Sequence, residues 1–176
     1  MVLGRRLIGL LVVLALAFPA AAAATSSAPS AQLTSLESGV LLQLNQIRAA
    51  HDLAPLSISA ALDASAAEHT RQMGSLGYFE HDSADGAAFW QRIEQWYSTT
   101  GCHYWAVGEN ILWESPDIDA TDAMRLWMAS PEHRANILDP QWRNIGISAI
   151  HFDAAPGTYQ GDPVTIVTTD FGVRSR

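Results

Sequence analysis

Apolar residues recur at helical spacing through the first half of the chain and alternate with polar ones in its last third. Leu36, Val40, Leu44 and Ile47 lie three or four positions apart, on one face of a helix. Thr34 or Ser35 is its expected cap, with Glu37 in the first turn. The helix should stop near Asp52, because Pro55 disfavours helical geometry in the residue before it. A second helix is expected from about Ser59, with Leu62, Ala66, His69 and Met73 on one side and Gly74 and Gly77 closing it. Residues 78–82 have the composition of a loop. A third helix, from Gly86 or Ala87 to Tyr97, would group Phe89, Ile93 and Trp96. Residues 99–108 show no period and read as irregular and aromatic. A fourth helix over 119–128 would turn Ala123, Leu126 and Trp127 inward. Pro131 suits the first turn of a short fifth helix capped by Ser130. Residues 144–152 and 164–171 then alternate as strands do, with Pro156-Gly157 and Gly161-Asp162-Pro163 marking the turn between them. Helices followed by strands give an α+β fold rather than a doubly wound one.

Residues 1–24 stand outside this pattern. Arg5 and Arg6 precede an apolar run over 7–18 and a small-residue stretch over 20–24, the layout of a secretory signal peptide. The run is well short of the roughly twenty residues a membrane span needs. Residues 25–34 are rich in Ser, Ala and Pro and read as a flexible leader, leaving 35–174 as one domain. The expectation is a secreted, extracellular monomer without a membrane span.

Charge narrows the partners. Ten arginines and no lysine stand against eighteen acids, and loss of Arg5 and Arg6 takes the net charge from −8 to −10. Such a domain disfavours nucleic acid and anionic membrane surfaces. Without lysine, Schiff-base and lysine general-base chemistry are excluded. Cys102 is the single cysteine, so no intrachain disulfide can form, and it reads as a small, partly buried apolar residue.

Three residues carry candidate chemistry. His81, Glu109 and His133 supply two imidazoles and a carboxylate, a set that suits zinc or another divalent metal with a fourth position left to water. The same groups suit acid–base work. A structural alternative has Glu109 accepting hydrogen bonds from both histidines, with no metal. His69 reads as a packing residue, His103 sits beside Cys102, and His51 lies near a helix C-terminus where a cation is favoured. No Gly-x-Ser-x-Gly elbow, Ser-x-x-Lys, His-Glu-x-x-His or phosphate loop occurs. Ser130, three residues before His133, is better read as a helix cap than as a nucleophile.

Several separate segments together resemble one family. These are Leu44-Asn45-x-x-Arg48, Pro55-Leu56, Leu62-x-x-x-Ala66, Tyr78-Phe79-x-His81, Gly108-Glu109-Asn110-Ile111, Trp127-Met128-x-Ser130-Pro131-x-His133-Arg134-x-Asn136-Ile137-Leu138, Ile145-Gly146 and Thr169-Asp170-Phe171-Gly172. In order over residues 41–172, they resemble a bacterial member of the CAP superfamily of cysteine-rich secretory, antigen 5 and pathogenesis-related proteins. The resemblance implies a three-layer α-β-α sandwich, with a small, mostly antiparallel sheet and a strand or two beyond the pair above. It also implies a central cleft of two histidines and two glutamates, at which His81, Glu109 and His133 take matching positions. Ser130 stands where many relatives have the second glutamate. Glu132 is near in sequence, but its side chain would diverge from that of His133 by about 100° along a helix. The function implied is a secreted module binding an unknown extracellular ligand through a polar His/Glu cleft, and more a binder than an enzyme. The rival is a metal-assisted hydrolase of peptide or cell-wall material with Glu109 as base.

Overall fold

In a computed structural model, which describes residues 33–175, the fold begins at a capping box. The signal peptide and most of the leader expected over 1–34 lie outside the described residues. Thr34 Oγ1 accepts from the Glu37 amide at 3.2 Å, and Glu37 Oε2 accepts from the Thr34 amide at 2.7 Å. Helix α1 (Ser35–Ala50) follows, then the two-residue strand β1 (Ser57–Ile58) and helix α2 (Ala60–Leu76), which ends at Gly77 with a left-handed φ of 77°. Next come α3 (Phe89–Trp96), strand β2 (Tyr104–Glu114), α4 (Ala120–Ala129) and α5 (Pro131–Ile137). Strand β3 (Asn144–Phe152), a 3₁₀ turn (Gly157–Tyr159) and β4 (Val164–Ser175) complete the described chain.

The strands form one sheet in the order β1-β3-β4-β2. β4 runs antiparallel to both β3 and β2, and β1 joins β3 in parallel. Both faces of the sheet are covered. Ile145, Ile147, Val167, Phe171 and Leu112 pack with Val40, Leu44, Trp127 and Ile137, which come from α1, α4 and α5. The opposite face holds Ile111 and Ile166 against Met73 of α2, while Leu62 of α2 packs with Ile93 and Tyr97 around α3. The result is the expected α-β-α sandwich, whose middle layer alternates its burial between two helical layers.

Because β1 is so short, most of the outer edge of β3 has no partner strand. Two carboxylates cover it. The Ile147 amide donates to Asp63 Oδ1 at 2.8 Å, and the Ala149 amide donates to Glu37 Oε1 at 2.9 Å. Bare strand edges invite pairing with other chains, and these side chains remove two free donors.

The structure departs from the sequence reading in five places. Residues 104–108, expected to be irregular, belong to β2. Gly74 does not close α2 but lies inside it, where any Cβ would collide with the Phe152 ring. Trp96 is 47% exposed rather than grouped with Phe89 and Ile93. Met124, not Leu126, is buried with Ala123 and Trp127. Ser130 occupies the cap position of α5 without a side-chain hydrogen bond to the helix; its hydroxyl donates to Glu132 Oε2 at 3.3 Å.

Candidate functional site

β2 is an edge strand, and its free edge is where polar groups from both helical layers meet. Glu109 lies at the middle of the strand, 7% exposed, on the face covered by α2 and α3. A buried carboxylate needs a counter-charge. Arg92 of α3 supplies it: the side chain is 3% exposed and its Nη2 pairs with Glu109 Oε2. Arg92 Nη1 also donates to the His81 carbonyl at 3.2 Å and to Ser83 Oγ at 3.1 Å, tying the loop after α2 to the carboxylate.

That loop delivers His81, whose Nδ1 is 2.7 Å from Glu109 Oε1. An ionised carboxylate only accepts, so Nδ1 carries the hydrogen and Nε2 of the neutral ring keeps a free lone pair. The His81 side chain is about half exposed. His69 lies behind it, fully buried on α2. Its Nε2 is 3.0 Å from the Glu80 carbonyl and 3.9 Å from Glu109 Oε2. Burial pushes its pKa down to about 4, and the neighbouring Glu109 charge offsets only part of this. His69 is therefore neutral and donates from Nε2. Asp170 of β4 is the register partner of Glu109. It is wholly buried, and neither carboxyl oxygen has a hydrogen-bond partner in the described residues. Burial, and then the adjacent Glu109 charge, raise its pKa well above the usual carboxylate range, favouring the protonated acid.

The other wall comes from the opposite layer. Gly108 gives room for Asn136 of α5, whose Oδ1 would lie 2.6 Å from an added Cβ. Asn136 Nδ2 donates to the Glu109 carbonyl at 3.1 Å and to Asn110 Oδ1 at 3.0 Å. Asn110 Nδ2 in turn donates to the His133 carbonyl at 3.1 Å, and Trp142 Nε1 donates to the Asn136 carbonyl at 2.9 Å. This ladder fixes α5 against the edge of β2. His133 then faces a cleft of about 330 Å³ that it shares with His81, Glu109, Asn110, Glu132 and Asn136. Its pKa is lowered by burial first and by His81 second, with Glu132 opposing. Both walls thus present an imidazole.

The structure brings His81 and Glu109 into direct contact and sets His133 in the same cleft. Among the described residues, no three His, Cys, Asp or Glu side chains gather as a ready-made ligand set for a metal. Glu132 lines the cleft beside His133. His103 is exposed, His51 Nδ1 is 2.9 Å from the Ile47 carbonyl at the end of α1, and Cys102 is half-buried. Sequence reasoning missed Arg92 and Asp170, and treated His69 as a packing or capping residue. Arg92 looks like any arginine on a helix, and no local pattern marks it. Asp170 carried a signal: an acid in a run that is otherwise a buried strand.

A family model for the cysteine-rich secretory protein family, CAP, matches residues 41–167. The uncharacterized protein YkwD of Bacillus subtilis is 30% identical over 128 residues, 72% of this chain and 46% of its own length. The chain thus spans about half of that relative. An extracellular protein containing an SCP domain from Bacillus anthracis superposes with a TM-score of 0.57 at 26% identity, over 81% of this chain and 44% of that one. An outer surface protein of Borrelia burgdorferi shares the fold with a TM-score of 0.61 at 20% identity, over 77% of this chain and 90% of its own.

Proposed function

The chain belongs to the cysteine-rich secretory protein (CAP) family, and from that footing we propose that it is an exported binding module whose cleft captures a small polar ligand, in the first instance a divalent cation such as zinc. Export is inferred from the signal-like layout of residues 1–24 and from the Bacillus anthracis relative described as extracellular.

One observation carries the reading. The hydrogen bond from His81 Nδ1 to Glu109 fixes the ring with Nε2 as its free donor atom, in a cleft that also holds His133. Carboxylate–histidine pairs of this kind orient imidazoles for metals and strengthen them as ligands. Glu109 fits that supporting place better than direct coordination, because Arg92 and His81 already hold its two oxygens. His81 and His133 would hold the ion, which supplies a positive centre for an anionic or carbonyl-bearing ligand. Asn110 and Asn136 keep the two walls in place.

The same contacts weigh against the hydrolase. Glu109 is a weakened base toward water in the cleft, because each of its oxygens already accepts a hydrogen bond and Arg92 neutralises its charge. They also alter the purely structural alternative, since Arg92 stands where the second histidine was expected to bind Glu109.

Calorimetric titration of zinc into metal-free protein should give saturable heat. His81→Ala and His133→Ala should each weaken the affinity at least tenfold. Equal heats in all three proteins would end the metal reading.

A further inference from the structure

The loop that delivers His81 has a second side. Between α2, α3 and residues 83–87 lies a groove of about 220 Å³, separate from the cleft and lined by Glu68, Gln72, Ser83, Asp85, Arg92 and Gln95, with Leu76 at its side. We propose that this groove is a second ligand site, which takes a neutral polyhydroxylated molecule, an oligosaccharide, with Trp96 as its stacking platform.

Arg92 gives the first indication. It is 3% exposed, and its Nη1 and Nη2 are bonded to the loop and to Glu109, yet its Nε hydrogen has no acceptor in the described protein. Buried donors are rarely left unpaired. Arg92 lines the groove, and an oxygen brought there by a ligand would pair this Nε once the side chains that cover it shift. The Ser83 hydroxyl, whose oxygen already accepts from Arg92, keeps its own hydrogen to donate into the groove.

Charge then selects the ligand class. An anion is disfavoured, because the Arg92 charge is matched by Glu109 and the groove adds Glu68 and Asp85. A cation is no better served. Glu68 Oε1 already accepts from Gln72 Nε2 at 3.3 Å and Oε2 from Trp96 Nε1 at 2.7 Å, while Asp85 Oδ1 caps the Ala87 amide at 3.0 Å. These oxygens are too committed to make up a cation's coordination shell, but each carboxylate keeps lone pairs for hydroxyl hydrogens, and Ser83 and Gln95 add donors and an amide acceptor.

The third observation is aromatic. Trp96 is 47% exposed on α3, and its indole N–H is fastened to a carboxylate of the groove. An exposed indole hydrogen-bonded beside polar side chains offers an apolar face for the C–H surface of a sugar ring. Leu76, 62% exposed, extends that apolar border. The groove is open to such a ligand whether or not the cleft holds a metal.

The test uses the full chain and three neutral probes, cellotetraose, maltotetraose and chitotetraose, followed by tryptophan fluorescence and calorimetry. At least one probe should bind saturably. Trp96→Ala and Gln72→Ala should each weaken that binding tenfold or more, and His133→Ala, in the other cleft, should leave it unchanged. Thermal melts of each variant separate lost binding from lost folding, and Trp96→Phe, which keeps a ring at that position, should recover part of the affinity. Failure of all three probes overturns the proposal, as does binding that survives Trp96→Ala and Gln72→Ala or disappears in His133→Ala.

Discussion

Asp170 and Glu109 stand opposite one another on β4 and β2, two carboxyls of which only Glu109 is paired with an arginine. Two like charges so close in a buried place cannot both ionise at low cost, and the proton falls to Asp170. This has a consequence for stability against pH. His69, with a pKa of about 4 in the fold against 6.5 unfolded, resists protonation in the native state. The unfolded chain therefore binds more protons between pH 6.5 and 4, and stability falls as pH falls through that window, by up to about 3 kcal/mol. Asp170 works the other way. Its folded pKa is raised, so the native state holds the extra proton, and stability falls as pH rises above the unfolded value of 3.8. Asp170→Asn removes the second effect and leaves the first. Urea melts should show the variant more stable than the natural protein at pH 7, with the gap closing toward pH 4 and a steeper loss in acid. Parallel pH profiles would refute the protonated Asp170.

At the scale of elements, the contact between α2 and the sheet depends on missing side chains, most strictly at Gly146, where the neighbour is backbone. Gly146 of β3 lies against the backbone of Leu62 and Asp63 on α2, where a Cβ would collide with main chain that has no rotamer to change. Gly146→Ala should cost at least the upper end of the roughly 1 to 3 kcal/mol usual for overpacking. An unchanged urea midpoint would refute the close approach. The elements themselves were unevenly legible. α1, α2, α4, β3 and β4 follow from apolar spacing, caps and turn residues, because their cores and their periods agree. β2 does not, and the reason lies in its function. Trp105, Val107, Ile111 and Trp113 sit at every second position, but Glu109 interrupts the series and Gly108 makes room for Asn136. The residue that makes the site breaks the pattern that would have revealed its strand. His81, Glu109 and His133 could be picked out by residue type and motif, and their common cleft was implied by the family resemblance. That Glu109 is held by Arg92 depends on how α3 packs, which no local pattern encodes.

Across the whole molecule, the cleft has no element of its own: one wall belongs to the α2–α3 layer and the other to α5 in the opposite layer. Its geometry therefore depends on what fixes α5, a helix of only seven residues. Arg48 is a second fastening beside the asparagine ladder. It is completely buried on α1, with Nε donating to the Ala54 carbonyl at 2.9 Å and Nη1 to the carbonyls of Ile137 at 2.7 Å and Asp139 at 3.0 Å. The last carbonyls of a helix have no partners within it, and here a side chain some ninety residues earlier serves that of Ile137 and also the Asp139 carbonyl just past the helix end. Arg48→Met keeps similar length and removes every donor, orphaning the buried Ile137 carbonyl at about 1 to 3 kcal/mol, while the part-buried carbonyls of Ala54 and Asp139 cost less. Stability should drop accordingly. Hydrogen exchange should also quicken at the amides of α5 more than at those of β3 and β4, because the helix loses its anchor while the sheet keeps its ladder. Zinc affinity should fall in parallel although both histidines are intact, since His133 travels with α5. Unaltered exchange in α5 would mean that the asparagine ladder from β2 alone holds the wall, and that α1 contributes packing but not position.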